Sequence, residues 1–399
     1  WGARPGVRAE AGGIALERRV AYAHPADPQH WREALFGLLG GLPREIRARL
    51  SALAIDGTSG TLLASDAAFE PASPALLYHD ARATEEARAI ANPQYGPVSG
   101  LAKRLWLARH YPAAAYCFHQ ADWLGALLTG KGGLTDYHNA LKSGFDVEKL
   151  AWPEWVSRLP GAQWQQKVLT PGDVLGMPRA EVARHLGLNP ACRVRAGTTD
   201  SIAAFMAAGV REAGEAVTSL GSTLVIKLLS ERRVDDPASG VYSHRYGRLW
   251  LAGGASNSGG GVLRRFFDDA ALERLSGLID PERPSGLDYY PLPAAGERFP
   301  LNDPALAPRM TPRPPSDADF LHGLLEGMAR IEALGYARLQ ALGASPLKRI
   351  LSSGGGAQNP AWRRIRHLAM QVPVETASQV EAAYGAARLA ALGPAIMPG

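Results

Sequence analysis

The stretch Ala196-Gly197-Thr198-Thr199-Asp200-Ser201, followed soon after by Thr218-Ser219-Leu220-Gly221-Ser222-Thr223, limits what this chain can fold into more than any other feature. The first segment sets one carboxylate among small hydroxyl and glycine residues, and the apolar run from Ile202 to Gly209 behind it reads as a helix start. The second is a Gly-Ser-Thr turn that runs into the strand-like Leu224-Val225-Ile226. A turn of that kind exposes backbone N–H groups, which bind phosphate oxygens. A carboxylate near such a cradle supplies what phosphoryl transfer to a hydroxyl needs: a base at the acceptor and donors around the transferring group. Taken alone, Asp200 reads as a helix N-cap. The remainder of the chain reverses that reading.

With 399 residues, 46% of them hydrophobic, the chain is long enough for two domains. Its 44 glycines and 30 prolines imply many turns, which suits a mixed α/β protein better than a helical bundle. Net charge is +5, but the arginines are scattered and no long basic run occurs. That argues against nucleic-acid binding and leaves room for a basic cleft that takes an anionic nucleotide. Cys117 and Cys192 lie far apart, outside any CxxC or Cys/His metal spacing, which fits a reducing, cytoplasmic setting. No apolar run reaches the roughly 18 residues of a membrane span, and no signal peptide is visible. The first residue is Trp rather than Met, so a preceding segment is expected.

In chain order, Gly6–Ala9 and Ile14–Arg18 read as two short strands around a Gly12-Gly13 turn. Asp27-Pro28 opens a helix whose apolar face carries Trp31, Leu35 and Leu38. Leu53–Leu63 reads as strand, polar turn, strand. A nucleophile elbow of a serine hydrolase fails there, because Thr61 rather than a GxSxG pattern follows Gly60. Ser59 remains a ligand-contact candidate, with a turn serine bonded to its own backbone as the equal alternative. Tyr78–Arg82 follows the apolar Ala75-Leu76-Leu77, where polar groups often face a cleft. Asp80 and Arg82 could instead pair with each other on the surface. Residues 99–130 are helical in pattern. Gly125–Lys131 misses the P-loop, because Gly132 replaces the magnesium-binding Ser/Thr and the motif ends a helix instead of following a strand. Asp136, His138, Asn139 and Lys142 form a polar loop best read as turn chemistry.

Gly187–Arg195 is the candidate boundary, giving domains 1–194 and 195–399. Beyond it, Leu249–Gly254 and Asn257–Gly261 read as a strand and a glycine turn before a helix at Val262–Phe267. A long helix is predicted from Asp317 to Leu342, with Phe320, Leu324, Met328, Ile331 and Leu334 on one face. Arg349–Trp362 reads as strand, glycine turn, helix, where glycines allow close approach of a base or phosphate. The chain closes on the strand Val372–Glu375 and the small-residue helix Glu381–Ala387. Strands alternating with helices in both halves suggest two α/β domains.

As an ordered set, the Asp56–Thr61 turn with Tyr78–Arg82, Gly197–Ser201, Ser219–Thr223, and Gly354–Trp362 with Glu381–Ala387 resemble the FGGY carbohydrate kinases, most nearly the D-ribulose kinase-like members. The resemblance runs from about Arg8 onward. It implies two actin-like (ribonuclease H-like) ATPase domains with an interdomain cleft, sugar against the first and ATP-Mg2+ against the second. On it, Asp200 matches the catalytic base, a sugar contact and the magnesium contact. Thr58, Ser59 and Asp80 match the sugar-binding turns. Gly221, Ser222 and Thr223 match a phosphate loop, and Gly355, Gly356, Asn359 and Trp362 match the turn around adenine and ribose. The implied reaction is ATP-dependent phosphorylation of a ketopentose, D-ribulose or xylulose, with closure over the sugar to exclude water.

The family opens with a strand ending in an Asp-x-Gly-Thr turn. Here Gly6-Val7-Arg8 resembles the tail of that motif, no acidic residue precedes it, and Trp1 stands where the aspartate belongs. The expectation is loss of the first strand and impaired phosphoryl transfer by this chain, with the exposed sheet edge favouring a homodimer. The competing reading is a non-catalytic sugar- or nucleotide-binding relative with a regulatory role.

Overall fold

The strand Ala52–Gly57 (β1) is six residues of alternating apolar character that pair in parallel with Arg193–Thr199 (β2), and this pairing across more than a hundred residues organises the first half of the chain. The computed structural model describes residues 2–3, 6–8 and 13–399. It divides into two compact units: Trp1–Ala207 with Glu381–Ile396, and Ala208–Val380 with Met397–Gly399. This differs from a boundary at Gly187–Arg195. The reason is the β1–β2 ladder, which ties the segment carrying Asp200 to the first unit rather than the second. The last helix, Ala382–Leu392, also returns to the first unit.

In the first unit, Val174–Gly176 flanks β2 on its other side, so the sheet has three strands. The strand Gly6–Arg8 pairs antiparallel with Ile14–Glu17, as the hairpin reading requires. Trp1, Arg4, Pro5, Ala9 and Gly12, which carry part of the reading of the opening segment, lie outside the described residues. Asp27 caps the helix Pro28–Gly40 by accepting from the Gln29 amide at 3.0 Å, and Trp31 and Leu38 are buried. The region 99–130 is not helical throughout. The helix Gly100–His110 (α1) is followed by a strand, Tyr116–His119, which pairs with Leu62–Ser65, before a second helix begins at Gln120. Asp200–Ala208 (α2) follows β2 directly.

The second unit is built on Glu215–Leu220 (β3), Leu224–Ser230 (β4), Tyr242–Tyr246 (β5) and Leu249–Ser256 (β6), all antiparallel neighbours in the order β5-β6-β4-β3. The helix Asp317–Ala341 (α3) packs on this sheet. Arg349–Ser353 (β7), the helix Pro360–Met370 (α4) and Val374–Thr376 (β8) complete the unit, with β7 and β8 parallel to β3. An antiparallel β3-β4-β6 meander continued by parallel strands on the far side of β3 is the ribonuclease H-like arrangement. Residues Val262–Phe267 hold less helix than their pattern suggests: one turn spans Gly260–Leu263.

The core of this unit gathers Phe320, Leu324 and Met328 of α3 with Ile226, Leu228, Ile350 and Trp362. Each such side chain contributes about 1.5–3 kcal/mol by leaving water. The apolar face of α3 passes from Ile331 to Gly335 and Leu339, whereas Leu334 is exposed. Gly335 takes that place because a Cβ there would lie 2.8 Å from the Phe299 ring. Ala382–Leu392 is labelled α5.

Candidate functional site

In the first unit β1 runs into the turn Gly57–Thr61, closed by Thr61 N–H donating to the Thr58 carbonyl at 3.2 Å. Gly57 has no room for a side chain, since a Cβ would meet the Ala121 nitrogen at 2.8 Å. Gly60 takes a φ of +71°, a conformation that favours glycine. Thr58 donates its amide to the Gln120 side-chain oxygen at 2.8 Å, and both Thr58 and Ser59 are half-buried.

A residue absent from the sequence-derived set holds this turn. Lys103 on α1 is fully buried, and its ammonium donates to the carbonyls of Gly60, Leu77 and Tyr78 at 2.9, 2.6 and 3.1 Å. All three donors are thereby used, and the 57–61 turn is joined to the segment carrying Asp80. Burial pulls the Lys103 ammonium down to about 8 against the attraction of Asp80. Asp80 takes the alternative left open by the sequence: both its oxygens accept from Arg82 Nε, at 2.9 and 3.0 Å. Burial opposes the charge on Asp80, but Arg82 and then Lys103 overcome it and hold the carboxyl below its ordinary range. The only sequence signal for Lys103 is a lysine amid the apolar Leu101, Ala102 and Leu105.

Asp200 stands where β2 ends and α2 begins, and its carboxylate accepts the Ser201 amide at 2.7 Å. The β1–β2 register pairs Thr198 with Asp56 and Thr199 with Gly57, which brings Asp56 beside Asp200. Burial, and then the charge of Asp200, raises the Asp56 carboxyl to about 7. On another side lies Lys142, pushed down to about 8 by burial while Asp200 pulls the other way. In the sequence Asp56 is only the first residue of the Asp56–Thr61 turn; a carboxylate at the C-terminal end of a parallel strand is its one signal.

Three close approaches fix this strand end. A Cβ on Gly197 would lie 1.9 Å from the Ile55 carbonyl oxygen, where the β1–β2 register shifts. A Cβ on Gly385 would lie 1.8 Å from the Ala203 oxygen, so α5 presses its small-residue face against α2. Arg195 Nε donates to the Ala390 carbonyl at 2.8 Å. Beneath, Thr198 shares a 2.7 Å hydrogen bond with His138 Nδ1, and Asp136 accepts the His138 and Asn139 amides at 2.8 and 3.1 Å. Asp136, His138 and Asn139 are buried and form a helix cap, the turn chemistry expected of them.

In the second unit the turn Gly221-Ser222-Thr223 joins β3 to β4. Its carbonyls accept from Gly260 and Gly261 at 2.9 and 3.0 Å, which leaves the Ser222 side exposed. The turn after β7 lies against it: a Cβ on Gly354 would sit 2.7 Å from the Leu220 oxygen. Gly355 is exposed and faces open space, as a residue admitting a ligand would. Asn359 caps α4 through the Trp362 amide at 3.0 Å and donates to Ser276 Oγ at 2.7 Å. Trp362 differs from its expected place around the base. It is 1% exposed, packed in the core with its ring 2.4 Å from where a Gly356 Cβ would be, so it supports the turn from beneath. The structure thus assembles two constellations, Thr58, Ser59, Asp80, Asp56 and Asp200 in one unit and Gly221–Thr223 with Gly354–Asn359 in the other.

Residues 216–393 match the model of the FGGY family of carbohydrate kinases, C-terminal domain. The match covers β3 to α5, including both glycine turns. Over these residues the chain is similar to the FGGY carbohydrate kinases. The chain is 28% identical over 396 residues to a xylulose kinase of Streptomyces coelicolor, covering 87% of this chain and 76% of that one. It is 22% identical over 362 residues to a gluconokinase of Bacillus subtilis, covering 79% and 69%. A crystal structure described as a xyloylose kinase from Brucella ovis superposes with a TM-score of 0.85 at 22% identity, covering all of this chain and 90% of that one. The fold of this chain is therefore the two-domain actin-like, ribonuclease H-like one. Among the described residues no helix is long and apolar enough to cross a membrane.

Proposed function

We propose that this chain is an FGGY-type carbohydrate kinase that transfers the γ-phosphoryl group of ATP to a hydroxyl of a ketopentose, xylulose or D-ribulose, with Asp200 as the base. The observation that carries the proposal is the position of Asp200 at the end of β2, beside Asp56 and Lys142 and on the same pair of strands that leads into the Thr58-Ser59 turn. Burial and the charge of Asp200 raise the neighbouring Asp56 to about 7, so the two carboxylates interact directly at this strand end. The Asp200 carboxylate takes the proton of the attacking hydroxyl as that oxygen bonds to phosphorus; the bond to the bridging oxygen breaks and ADP leaves. Thr58, Ser59 and Asp80 orient the sugar. The backbone N–H groups and hydroxyls of Gly221–Thr223 hold phosphate, and the open side of Gly355, with Gly356 and Asn359, admits the nucleoside.

The donor set fits magnesium, since the Asp200 and Asp56 carboxylates offer the hard oxygens it prefers. Those residues would hold the ion, which when bound neutralises phosphate charge. Xylulose is supported by the names of the relatives, and ribulose by the motif resemblance. A coupled ADP-release assay over xylulose, ribulose, polyols and gluconate separates them. Turnover with a ketopentose that is lost in Asp200→Asn is the expected result. Silence across the panel with retained sugar binding would turn the reading toward a binding relative.

A further inference from the structure

Beneath the two glycine turns of the second unit lies an ion pair sealed from water. Glu332 on α3 and Arg366 on α4 are both 0% exposed. Arg366 Nε and Nη2 donate to the two Glu332 oxygens at 2.6 and 2.7 Å, and Nη1 donates to Ser352 Oγ at 2.6 Å. Thr218 Oγ donates to Glu332 Oε1 at 2.5 Å. Its single proton is then spent, so the Tyr336 hydroxyl, 2.8 Å away, is the donor in their shared bond. Burial opposes the Arg366 charge, but Glu332 beside it prevails and strengthens it.

Thr218 and Ser352 are not arbitrary anchor points. They are register partners on the parallel strands β3 and β7. Three residues past Thr218 comes Gly221, and two past Ser352 comes Gly354. The two turns then touch, since the Leu220 carbonyl leaves no room for a side chain on Gly354.

A buried ion pair is a poor source of stability, because desolvating two charges offsets most of their attraction and apolar replacements often do as well. What it supplies here is directional. The fork of Arg366 and the plane of Glu332 fix where two neighbouring strand ends lie, and backbone donors for phosphate work only when held to a fraction of an ångström.

We propose that Glu332 and Arg366 are positioning residues for the nucleotide: through Thr218 and Ser352 they set the strand ends from which the Gly221–Thr223 and Gly354–Gly356 turns spring. The inference rests on those turns holding ATP. Neither charged residue touches the nucleotide; both act through the strands.

The test severs the link without unpairing the charges. Thr218→Val keeps shape and removes the hydroxyl; Ser352→Ala does the same on β7. ADP-Mg2+ affinity is measured by titration calorimetry on the full chain, and ketopentose affinity by the same method. The double variant is expected to bind ADP about tenfold more weakly while sugar affinity stays within about twofold. Thr218→Ser, which restores a hydroxyl, should return nucleotide affinity. Equal ADP affinity in altered and unaltered chains would overturn the inference alone, as would parallel losses for nucleotide and sugar, the mark of general loosening. Absence of ADP binding by the unaltered chain would overturn the functional reading and this inference together.

Discussion

The two units secure their loops by opposite means. In the first, one lysine reaches three main-chain carbonyls, so a single side chain holds the backbone of the Gly57–Thr61 turn and the Asp80 segment directly. In the second, a bidentate ion pair grips two side-chain hydroxyls one strand pair below the turns, and the turns themselves are closed by glycine backbone contacts. The first arrangement concentrates the constraint in one group whose loss removes three hydrogen bonds to main-chain carbonyls at once. The second distributes it over five side chains, so removing one link leaves the others in place. The difference suits the proposed ligands. A sugar is oriented by a few side chains on two loops that must be kept in step, whereas phosphates are met by a run of backbone groups whose spacing depends on strand register.

The largest effect belongs to the chemistry. Asp200→Asn should lower kcat by about 10³-fold while leaving ketopentose and ADP affinities within a few fold. Steady-state kinetics with calorimetry checks it, and a large loss of ADP affinity would break the separation between units. Next comes Lys103→Met, which removes three buried hydrogen bonds to main-chain carbonyls and should destabilise the chain by about 3 kcal/mol. It should raise KM for the sugar at least tenfold, on the order expected for a misplaced binding loop, with KM for ATP nearly unchanged. Equal rises in both would show that the lysine supports the whole unit rather than the sugar turns.

Smaller is Gly385→Ala, whose methyl would collide with the Ala203 carbonyl between α5 and α2. Overpacking of that kind costs about 2 kcal/mol, or roughly 5 °C in Tm for a unit of this size. It should also lower kcat, because α2 begins at Asp200. The smallest effect is pH-dependent. Asp56 is raised from 3.8 to about 7, so between those values the folded chain holds a proton that the unfolded chain has released. The stability from that proton is complete below the lower value and lost as pH rises through the upper one. Asp56→Asn should therefore raise Tm by a few degrees at pH 8 and leave it unchanged near pH 3.5. Equal gains at both pH values would show that the charge next to Asp200 is not the cause.

Much of this was legible in the residues themselves. Asp27-Pro28 announced a helix that the structure starts at Pro28, and the Asp317 helix ends within a residue of its predicted limit. The strand–glycine–helix order at Arg349–Met370 is as read. The glycine turns were found because their geometry depends on residues next to one another. Asp56 and Lys103 were not found, because a carboxylate at a strand end and a lysine on an apolar face acquire meaning only from what is packed against them. Asp80 shows the same limit: two readings of Asp80 and Arg82 fitted the sequence, and the fold chose the ion pair.

The sequence by itself determined the kind of chain this is. Periodicity, caps and glycine turns act over a few residues, and their ordered set pointed to a two-domain sugar kinase. Only the tertiary structure decided which elements share a unit. It joined β2 to β1, returned α5 to α2, and put Trp362 beneath Gly356. It also brought Glu332 to Thr218 across 114 residues. Such pairings are settled by burial and by the need to satisfy every buried polar group, and both are properties of the packed whole.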